Sequence, residues 1–225
     1  MHYVHNKVRF CWPAATHGRQ HVHLMMHAPP CLACGQVPWD LGREQDSLKI
    51  VAGDFTGRVL DAGCGLGNNS LWLGSLPAVT SVDAVDFSVD AIQEARARQA
   101  AAPKEAASKV TFTVADINNL PFNKGQPFDC LLDSAVFHCI GDDDAQKRYL
   151  AAVTPFIKLG GKAVMLVFSD KNPDPWFGPR RISQEHATKV WTAAGWRVDR
   201  ITEATMHSNI PQLNAGILMQ ATRVA

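Results

Sequence analysis

Acidic residues and glycines mark the part of this sequence where residue type and spacing could do chemistry. The stretch 59–71 reads VLDAGCGLGNNSL, with Asp61 in front of Gly63, Gly65 and Gly67. Glycines at alternate positions allow a tight turn and let a ligand lie directly against the backbone. A helix that opens after such a turn offers its first amide groups to a carboxylate or phosphate. We therefore expect a ligand-binding turn, with Asp61 placed to face an ammonium group.

Acidic residues also end the next two predicted strands. Asp86 ends the second strand, where a carboxylate accepts hydrogen bonds from both hydroxyls of a ribose. Asp116 ends the third strand and is followed by Ile117, a polar contact beside an apolar wall that suits a purine. Three such carboxylates, counting Asp61, would repel a pyrophosphate. They favour a ligand that joins a nucleoside to a cationic sulfonium and an amino group, which predicts S-adenosylmethionine as the cofactor.

The glycine turn by itself has other interpretations. A dinucleotide-binding fingerprint needs glycine or alanine at the position that Asn68 occupies, and the sequence has no Walker lysine pattern. A turn with a purely structural purpose remains open from the glycines alone. The acidic residues at the ends of successive strands favour the ligand-binding interpretation.

The elements that must position these residues alternate along the chain. Apolar runs predict seven strands, at 58–63, 79–87, 109–117, 128–137, 161–170, 196–205 and 215–224. Helical patterns fall between the first six, at 68–76, 88–101, 143–157 and 183–195, with Ser88 and Ser183 as N-caps. Strands that alternate with helices predict a parallel, doubly wound sheet. The last two strands have no helix between them, so we predict a Rossmann-like α/β fold whose sheet is parallel with one antiparallel edge strand.

Residues 58–137 resemble the class I S-adenosylmethionine-dependent methyltransferases. The segments VLDAGCGLG, VDAVDFSVDAIQEAR, VADI and FDCLLDSAVFH occur in that family's order and spacing. The resemblance extends to the C-terminus, because the family fold has seven strands with the last one antiparallel. It implies an enzyme that transfers the methyl group of S-adenosylmethionine.

A narrower resemblance joins PWDLGREQ at 38–45 to DSAVFH at 133–138. Together they are similar to the small-molecule branch that includes thiol, halide and thiopurine methyltransferases and enzymes that methylate aromatic heterocycles. The resemblance implies that Trp39 lies over the cofactor, although packing on the first helix is the alternative for this side chain. It implies that Asp133 faces the methyl donor or acceptor. The implied cofactor-binding set is Trp39, Asp61, Gly63, Gly65, Gly67, Asp86, Phe87, Asp116, Ile117 and Asp133.

Methyl transfer from a sulfonium requires that donor and acceptor are held at attack distance and that water is excluded. A thiolate or halide needs no base, whereas a phenol or ring hydroxyl is helped by one. His138, five residues beyond Asp133, is the candidate base, with a histidine bonded to backbone as its alternative. His207 is a second candidate or a surface residue. The loop at 170–179 is either an aromatic lid, through Trp176 and Phe177, or a proline-stiffened connection.

Residues 1–37 form a histidine-rich extension that we expect to be mobile, in front of a methyltransferase domain at 38–225. Six of the nine histidines fall in the first 27 residues, and no acidic residue precedes Asp40. Cys31 and Cys34, with nearby histidines, offer zinc-type donors, but the stretch has no small fold to hold a metal, so we predict none. An organelle transit peptide is a further alternative that the lack of serine disfavours.

Composition excludes several classes of function. With 22 basic and 21 acidic residues, the net charge is +1 at pH 7, and no basic tract indicates nucleic acid or an anionic membrane as a partner. Six cysteines without regular spacing indicate reduced thiols and a cytoplasmic protein. The predicted partner is a small-molecule substrate, and the oligomeric state is left open. A nicotinamide-dependent oxidoreductase and a binding module without turnover are the rival functions.

Overall fold

The computed structural model describes residues 39–174, 176, 178–209 and 214–225. The predictions for the extension at 1–37, including its cysteine and histidine donors and its mobility, therefore lie outside the described residues. The same holds for Phe177 in the loop after the fifth strand. The boundary of the methyltransferase domain at residue 38 stays a prediction.

Seven strands form one sheet in the order β3-β2-β1-β4-β5-β7-β6. Their bounds are β1 Gly57–Ala62, β2 Val79–Asp86, β3 Val110–Val114, β4 Phe128–Ser134, β5 Ile157–Phe168, β6 Trp196–Thr205 and β7 Ala215–Arg223. The strands from β1 to β5 pair in parallel, and β7 runs antiparallel to both β5 and β6. The predicted fold class is confirmed. The antiparallel strand is inserted beside β5, so that β6 closes this side of the sheet.

Helices follow the parallel strands as the sequence patterns predict. Their bounds are α1 Asp46–Lys49, α2 Asn68–Ser75, α3 Val89–Ala101, α4 Lys104–Ala107, α5 Asp143–Val153 and α6 Gln184–Ala193. Short 3-10 turns occur at Ala52–Asp54, Phe137–Cys139 and Thr154–Phe156. Both predicted N-caps are present: Ser88 accepts the amide of Ala91 at 3.2 Å, and Ser183 accepts that of His186 at 3.0 Å. These side chains satisfy helix-terminal amides that have no intrahelical partner.

Two apolar cores lie on the two faces of the sheet. One core contains Tyr149, Leu150 and Val153 of α5 and Trp191 of α6. The other contains Leu48 of α1, Leu73 of α2 and Ile92 of α3. Alternate residues of each strand contribute to opposite cores, because successive strand side chains point to opposite faces.

This topology places the candidate site at the carboxyl ends of the strands. The chain moves from β1 to β2 and β3 on one side and returns to β4 on the other, so the switch point lies between β1 and β4. Ligands of open α/β sheets bind in the crevice outside that point. Among the described residues, no helix is both long and apolar enough to cross a bilayer.

Candidate active site

The three glycines after β1 all have left-handed backbone conformations, with φ of 70° at Gly63, 53° at Gly65 and 81° at Gly67. A Cβ at Gly63 would lie 2.2 Å from Val136 Cγ2, and one at Gly67 would lie 2.6 Å from the Phe112 ring. A Cβ at Gly65 would meet nothing within 4 Å. Gly63 and Gly67 therefore serve close packing, whereas Gly65 faces open space and lets a ligand approach the backbone.

The carboxylate of Asp86 fastens this glycine turn to the end of β2. Its Oδ2 accepts the amide of Gly65 at 2.9 Å, and its Oδ1 accepts the amide of Ser88 at 2.9 Å. Burial raises the pKa of Asp86, while these amides oppose the shift. Asp86 thus lies beside the turn, as the sequence predicts, with lone pairs left over for further donors.

Asp61 is almost completely buried beneath the same turn, with 1% of its surface exposed. The hydroxyl of Ser70, in the first turn of α2, donates to Asp61 Oδ2 at 2.6 Å. Burial, with the nearby charges of Asp86 and Asp133, raises the pKa of Asp61 to about 7. A buried carboxylate without a cationic partner is costly. A ligand ammonium group would supply the missing positive charge.

Asp133 lies in the same row of the sheet as Ala62, and its side chain belongs to the face covered by α5. It is fully buried, and its Oδ1 accepts the amides of Val136 and Phe137 at 3.0 and 3.1 Å. Its Oδ2 accepts the hydroxyl of Tyr149 at 2.9 Å. Burial raises the pKa of Asp133 to about 6. In this structure Asp133 therefore holds the turn after β4 from inside the fold, and it presents no surface to a methyl donor or acceptor.

His138 is also enclosed, with 2% of its surface exposed. Its Nδ1 accepts the amide of Phe168 at 2.9 Å, and its ring stacks on the Phe168 ring with centroids 5.0 Å apart. Burial lowers the pKa of His138 to about 3. The bond to Nδ1 assigns the proton to Nε2 and occupies the lone pair that a base would use. This geometry matches the alternative of a backbone-bonded histidine and argues against His138 as the base.

The turn between Asp133 and His138 has an unusual backbone. Ala135 has a φ of 78° and is the non-glycine residue with positive φ among those the structure describes. Its amide donates to Leu166 O at 3.0 Å, which ties the end of β4 to β5. A left-handed alanine costs about 1–2 kcal/mol, and such strain gathers at functional sites. It brings Val136 against Gly63 and so joins this turn to the glycine turn.

The predicted purine contacts lie at the ends of β2 and β3. Phe87, directly after Asp86, is exposed. Asp116 is exposed, and its Oδ1 accepts the backbone and side-chain amides of Asn118 at 2.8 and 3.0 Å. Ile117 is buried in the core beneath α5. The structure therefore brings Phe87 and Asp116 to the carboxyl edge beside Asp86, while most of Ile117 packs inward.

A segment in front of α1 crosses this edge, and sequence analysis found only part of it. Trp39 is 56% exposed, so packing on the first helix does not bury its ring. The next residue, Asp40, accepts two bonds of 2.8 Å from Arg98 of α3 and one of 3.0 Å from the Asn68 side chain. The Arg98 guanidinium lowers the pKa of Asp40 to about 2. Asn68 stands where a dinucleotide-binding site has glycine or alanine, and its side chain binds Asp40 of this segment.

The connections after β5 and β6 border the same edge from the other side. The indole of Trp176 contacts the Phe168 ring edge-on at 5.4 Å and donates to Pro179 O, and the Arg181 guanidinium lies over it at 5.6 Å. His207 is partly exposed, and its Nε2 lies 3.3 Å from Asp46 Oδ2. Trp176 is thus fixed by its own loop and packs beside the His138–Phe168 stack.

These residues fit S-adenosylmethionine. Gly65 leaves open space at the turn, and Asp61 is a buried carboxylate with no cationic side chain bonded to it among the described residues. When bound, the cofactor supplies an electrophilic methyl group on a sulfonium. Asp61, buried beneath the turn, would hold the amino end of the cofactor, and Asp86, at the end of β2, would hold the ribose.

Comparisons with known proteins show the family to which the chain belongs. Residues 59–161 match a family model described as a methyltransferase domain. The chain is 31% identical over 185 residues to 2-heptyl-1-hydroxyquinolin-4(1H)-one methyltransferase of Mycobacteroides abscessus, covering 81% of this chain and 78% of that protein. A structure from work on the conversion of a disulfide bond into a thioacetal group during echinomycin biosynthesis is 28% identical, with a TM-score of 0.70, over 87% of this chain and 91% of that one. The glycopeptide N-methyltransferase MtfA, complexed with S-adenosylmethionine, shares the fold at 16% identity, with a TM-score of 0.65, over 82% of this chain and 96% of its own.

The comparisons confirm the predicted cofactor, and they give the oxidoreductase alternative no support. The relative from Mycobacteroides abscessus covers four fifths of the chain, including the glycine turn and the strands that carry Asp61 and Asp86. The chain therefore belongs to the class I S-adenosylmethionine-dependent methyltransferases.

Proposed function

We propose that this protein methylates a small aromatic heterocycle on a ring-bound hydroxyl, with S-adenosylmethionine as donor. The observation that carries the proposal is the 31% identity with a methyltransferase whose substrate is a 1-hydroxyquinolin-4(1H)-one. The alignment with that relative covers 81% of this chain. The heterocyclic hydroxyl was already among the acceptors that the sequence resemblance implies.

The geometry at the end of β4 supports an acceptor that needs little help from a base. His138 has its Nδ1 lone pair occupied by the Phe168 amide, and Asp133 is fully buried. A hydroxyl on a ring nitrogen is acidic enough to be ionised near neutral pH, so it reaches the enzyme as a nucleophile. General-base catalysis matters most for acceptors that arrive protonated.

Within this proposal the described residues take separate parts. Asp61 holds the amino group of the cofactor, and Asp86 holds the ribose hydroxyls. The adenine is bordered by Phe87, Asp116 and Ile117. Trp39, in the segment in front of α1, covers the cofactor. Free thiols at Cys64 and Cys130 are typical of the cytoplasm, where we place the protein.

Methylation of a matched pair of compounds tests the proposal. The full chain is incubated with S-adenosylmethionine and either 2-heptyl-1-hydroxyquinolin-4(1H)-one or the same quinolone without the hydroxyl, and products are detected by mass spectrometry. We expect methylation of the hydroxylated compound alone, with loss of product in Asp86→Ala. Methylation of both compounds at carbon or ring nitrogen, or of neither, would contradict the assignment.

A sulfur acceptor is a second candidate, favoured by one specific observation. The structure from the echinomycin work, which concerns chemistry at a disulfide bond, aligns with 87% of this chain. Thiolates also need no base, which agrees with a His138 whose Nδ1 lone pair is taken by the Phe168 amide. A parallel assay with thiophenol and dithiothreitol distinguishes the candidates: methylation of these thiols, without methylation of the hydroxyquinolone, would replace the first proposal by this one.

A further inference from the structure

Residues 39–49 form what we call the entry strap, the segment that crosses the carboxyl edge of the sheet and ends with α1. Its residues bond to two parts of the molecule that have no covalent connection near the site. One is the start of α2, which directly follows the glycine turn. The other is residues 205–209, at the end of β6.

Gln45 of the strap bonds to both parts at once, and it is only 7% exposed. Its backbone amide donates to Asn69 Oδ1 of α2 at 3.0 Å. Its side-chain amide pairs with the backbone of His207: Nε2 donates to His207 O at 2.9 Å, and Oε1 accepts the His207 amide at 2.9 Å. A side-chain amide held by two bonds has little freedom, so a shift at Asn69 reaches His207 through a short, stiff path.

Asp40 makes a second bridge of the same kind. Its carboxylate binds Asn68 of α2 and Arg98 of α3, and its backbone carbonyl accepts the side-chain amide of Asn209 at 2.6 Å. Asn68 and Asn69 are the first two residues of α2, immediately after Gly67. Each of them therefore fixes one of the two bridges to the glycine turn.

The residues after β6 border the half of the crevice that the cofactor leaves free. β6 is parallel to β5, because β7 is antiparallel to both, so β6 also ends at the carboxyl edge. The cofactor carboxylates Asp61 and Asp86 lie at the ends of β1 and β2. The ends of β4, β5 and β6 remain for the acceptor.

We propose that Gln45 is a positioning residue that couples the two halves of the crevice, so that cofactor bound at the glycine turn fixes residues 206–209 on the acceptor side. The inference rests on cofactor binding and does not depend on which acceptor is methylated. Coupling of this kind requires a physical element that both sites contact, and the strap is that element.

Hydrogen exchange of the full chain, followed by mass spectrometry with and without saturating S-adenosylhomocysteine, tests the coupling. In the wild type we expect the ligand to slow exchange of the amides at 206–209 by roughly threefold or more. Gln45→Ala should still bind the ligand, as measured by calorimetry, but the ligand-dependent slowing at 206–208 should disappear, while Asn209 keeps its own bridge through Asp40. Asn69→Ala breaks the same path from the other side, leaves the Gln45–His207 pair intact, and should give the same loss.

Ser47→Ala is the matched control. It removes another bond between the strap and β6, from Ser47 Oγ to Thr205 O at 2.6 Å, without touching the path from Asn69 to His207. It should lower stability and keep the ligand-dependent slowing. If Gln45→Ala does not fold, Asn69→Ala decides the matter. Full slowing in Asn69→Ala, or none in the wild type, would overturn the proposal.

Discussion

At the scale of single residues, the carboxylates at the crevice differ in the number of hydrogen-bond donors that they bind. Each carboxylate oxygen of Asp86 accepts one hydrogen bond from a backbone amide, whereas Asp61 accepts one hydrogen bond from the Ser70 hydroxyl. Asp133 receives three donors and has no exposed surface. Asp61 is therefore the carboxylate whose charge most needs a ligand.

The affinity for the cofactor should depend on the ionisation of Asp61. Its pKa in the unliganded protein is about 7, and an ammonium group favours the ionised form. Protonation on going from pH 8 to pH 6 should therefore weaken S-adenosylmethionine binding by about tenfold. Calorimetric titration at several pH values measures the effect, with Asp61→Asn as the control that should bind weakly and lose this pH dependence. Equal affinity at pH 6 and pH 8 in the wild type would contradict it.

Two glycines of the turn should respond differently to alanine. Gly65→Ala places a methyl group in open space on the crevice side, so we expect a folded protein whose affinity for S-adenosylhomocysteine falls by roughly tenfold or more. Gly67→Ala drives a methyl group into Phe112 and Ala95, so the main loss should be in the free energy of unfolding, by about 2–4 kcal/mol. Urea unfolding and calorimetry on both variants separate the effects. The same ranking of the two variants in both measurements would count against this distinction.

The sequence located the carboxylates better than it oriented them. Asp61 and Asp86 lie at the strand ends as predicted, because apolar runs mark where strands stop. The face of the sheet toward which the Asp133 side chain points is set by its pairing with Ala62 on the neighbouring strand. The Nδ1 of His138 is occupied by the amide of Phe168, which lies thirty residues away along the chain. Neither is visible in local spacing.

At the scale of elements, the turn after β4 is held by contacts from both helices of its face. Gln146 of α5 is fully buried, and its Nε2 donates to Phe137 O at 2.9 Å and to Ile140 O at 3.2 Å. Its Oε1 contacts His186 Nε2 of α6 at 2.7 Å. The position of the strained Ala135 and of Val136 against Gly63 depends on this support.

Replacing Gln146 by leucine should destabilise the protein by about 2–3 kcal/mol, because two buried carbonyls lose their donor. Urea unfolding measures the change in the free energy of unfolding. The neighbouring exposed Lys147→Ala is the control and should change it by less than about 0.5 kcal/mol, since its ion pair with Asp144 is on the surface. A Gln146→Leu variant as stable as the control would show that the turn does not need this support.

Element prediction succeeded where the pattern was long. Each predicted strand and each of the four predicted helices is present, because an apolar run of five or more residues in a strand, or a periodic pattern of eight or more in a helix, reports a buried face. The four-residue helices α1 and α4 were not predicted, since one turn carries too few residues to show a period. The family resemblance predicted that β7 is antiparallel, but not that it lies between β5 and β6. Strand order is set by pairing across the sheet, which local sequence does not show.

At the scale of the whole molecule, the strap makes residues 39–49 part of the methyltransferase domain. Leu48 is fully buried in the core beneath α2, and Ser47 and Gln45 are buried beside the end of β6. The boundary predicted at residue 38 keeps the whole strap within the domain.

Truncation tests this boundary. A chain that begins at residue 38 should keep the stability and cofactor affinity of the full chain within about twofold, because it retains Asp40 with its bonds to Asn68, Arg98 and Asn209. A chain that begins at residue 51 loses the bridges to Asn68, Asn69 and Arg98, and it should bind S-adenosylhomocysteine at least about tenfold more weakly. Thermal unfolding and calorimetry give both quantities. Loss of binding in the chain that begins at residue 38 would place part of the site within residues 1–37.

The insertion of β7 also determines when the sheet is complete during synthesis. The ribosome makes β5 and β6 before it makes the strand that joins them, so β5 has an open edge until residues 215–223 emerge. An unpaired twelve-residue strand is a template for pairing with another nascent chain. We expect ribosome-bound chains arrested before residue 215 to be cleaved rapidly by protease and to recruit chaperones, and chains in which β7 has emerged to resist cleavage. Equal protease sensitivity of the two would mean that β5 is protected without its antiparallel neighbour.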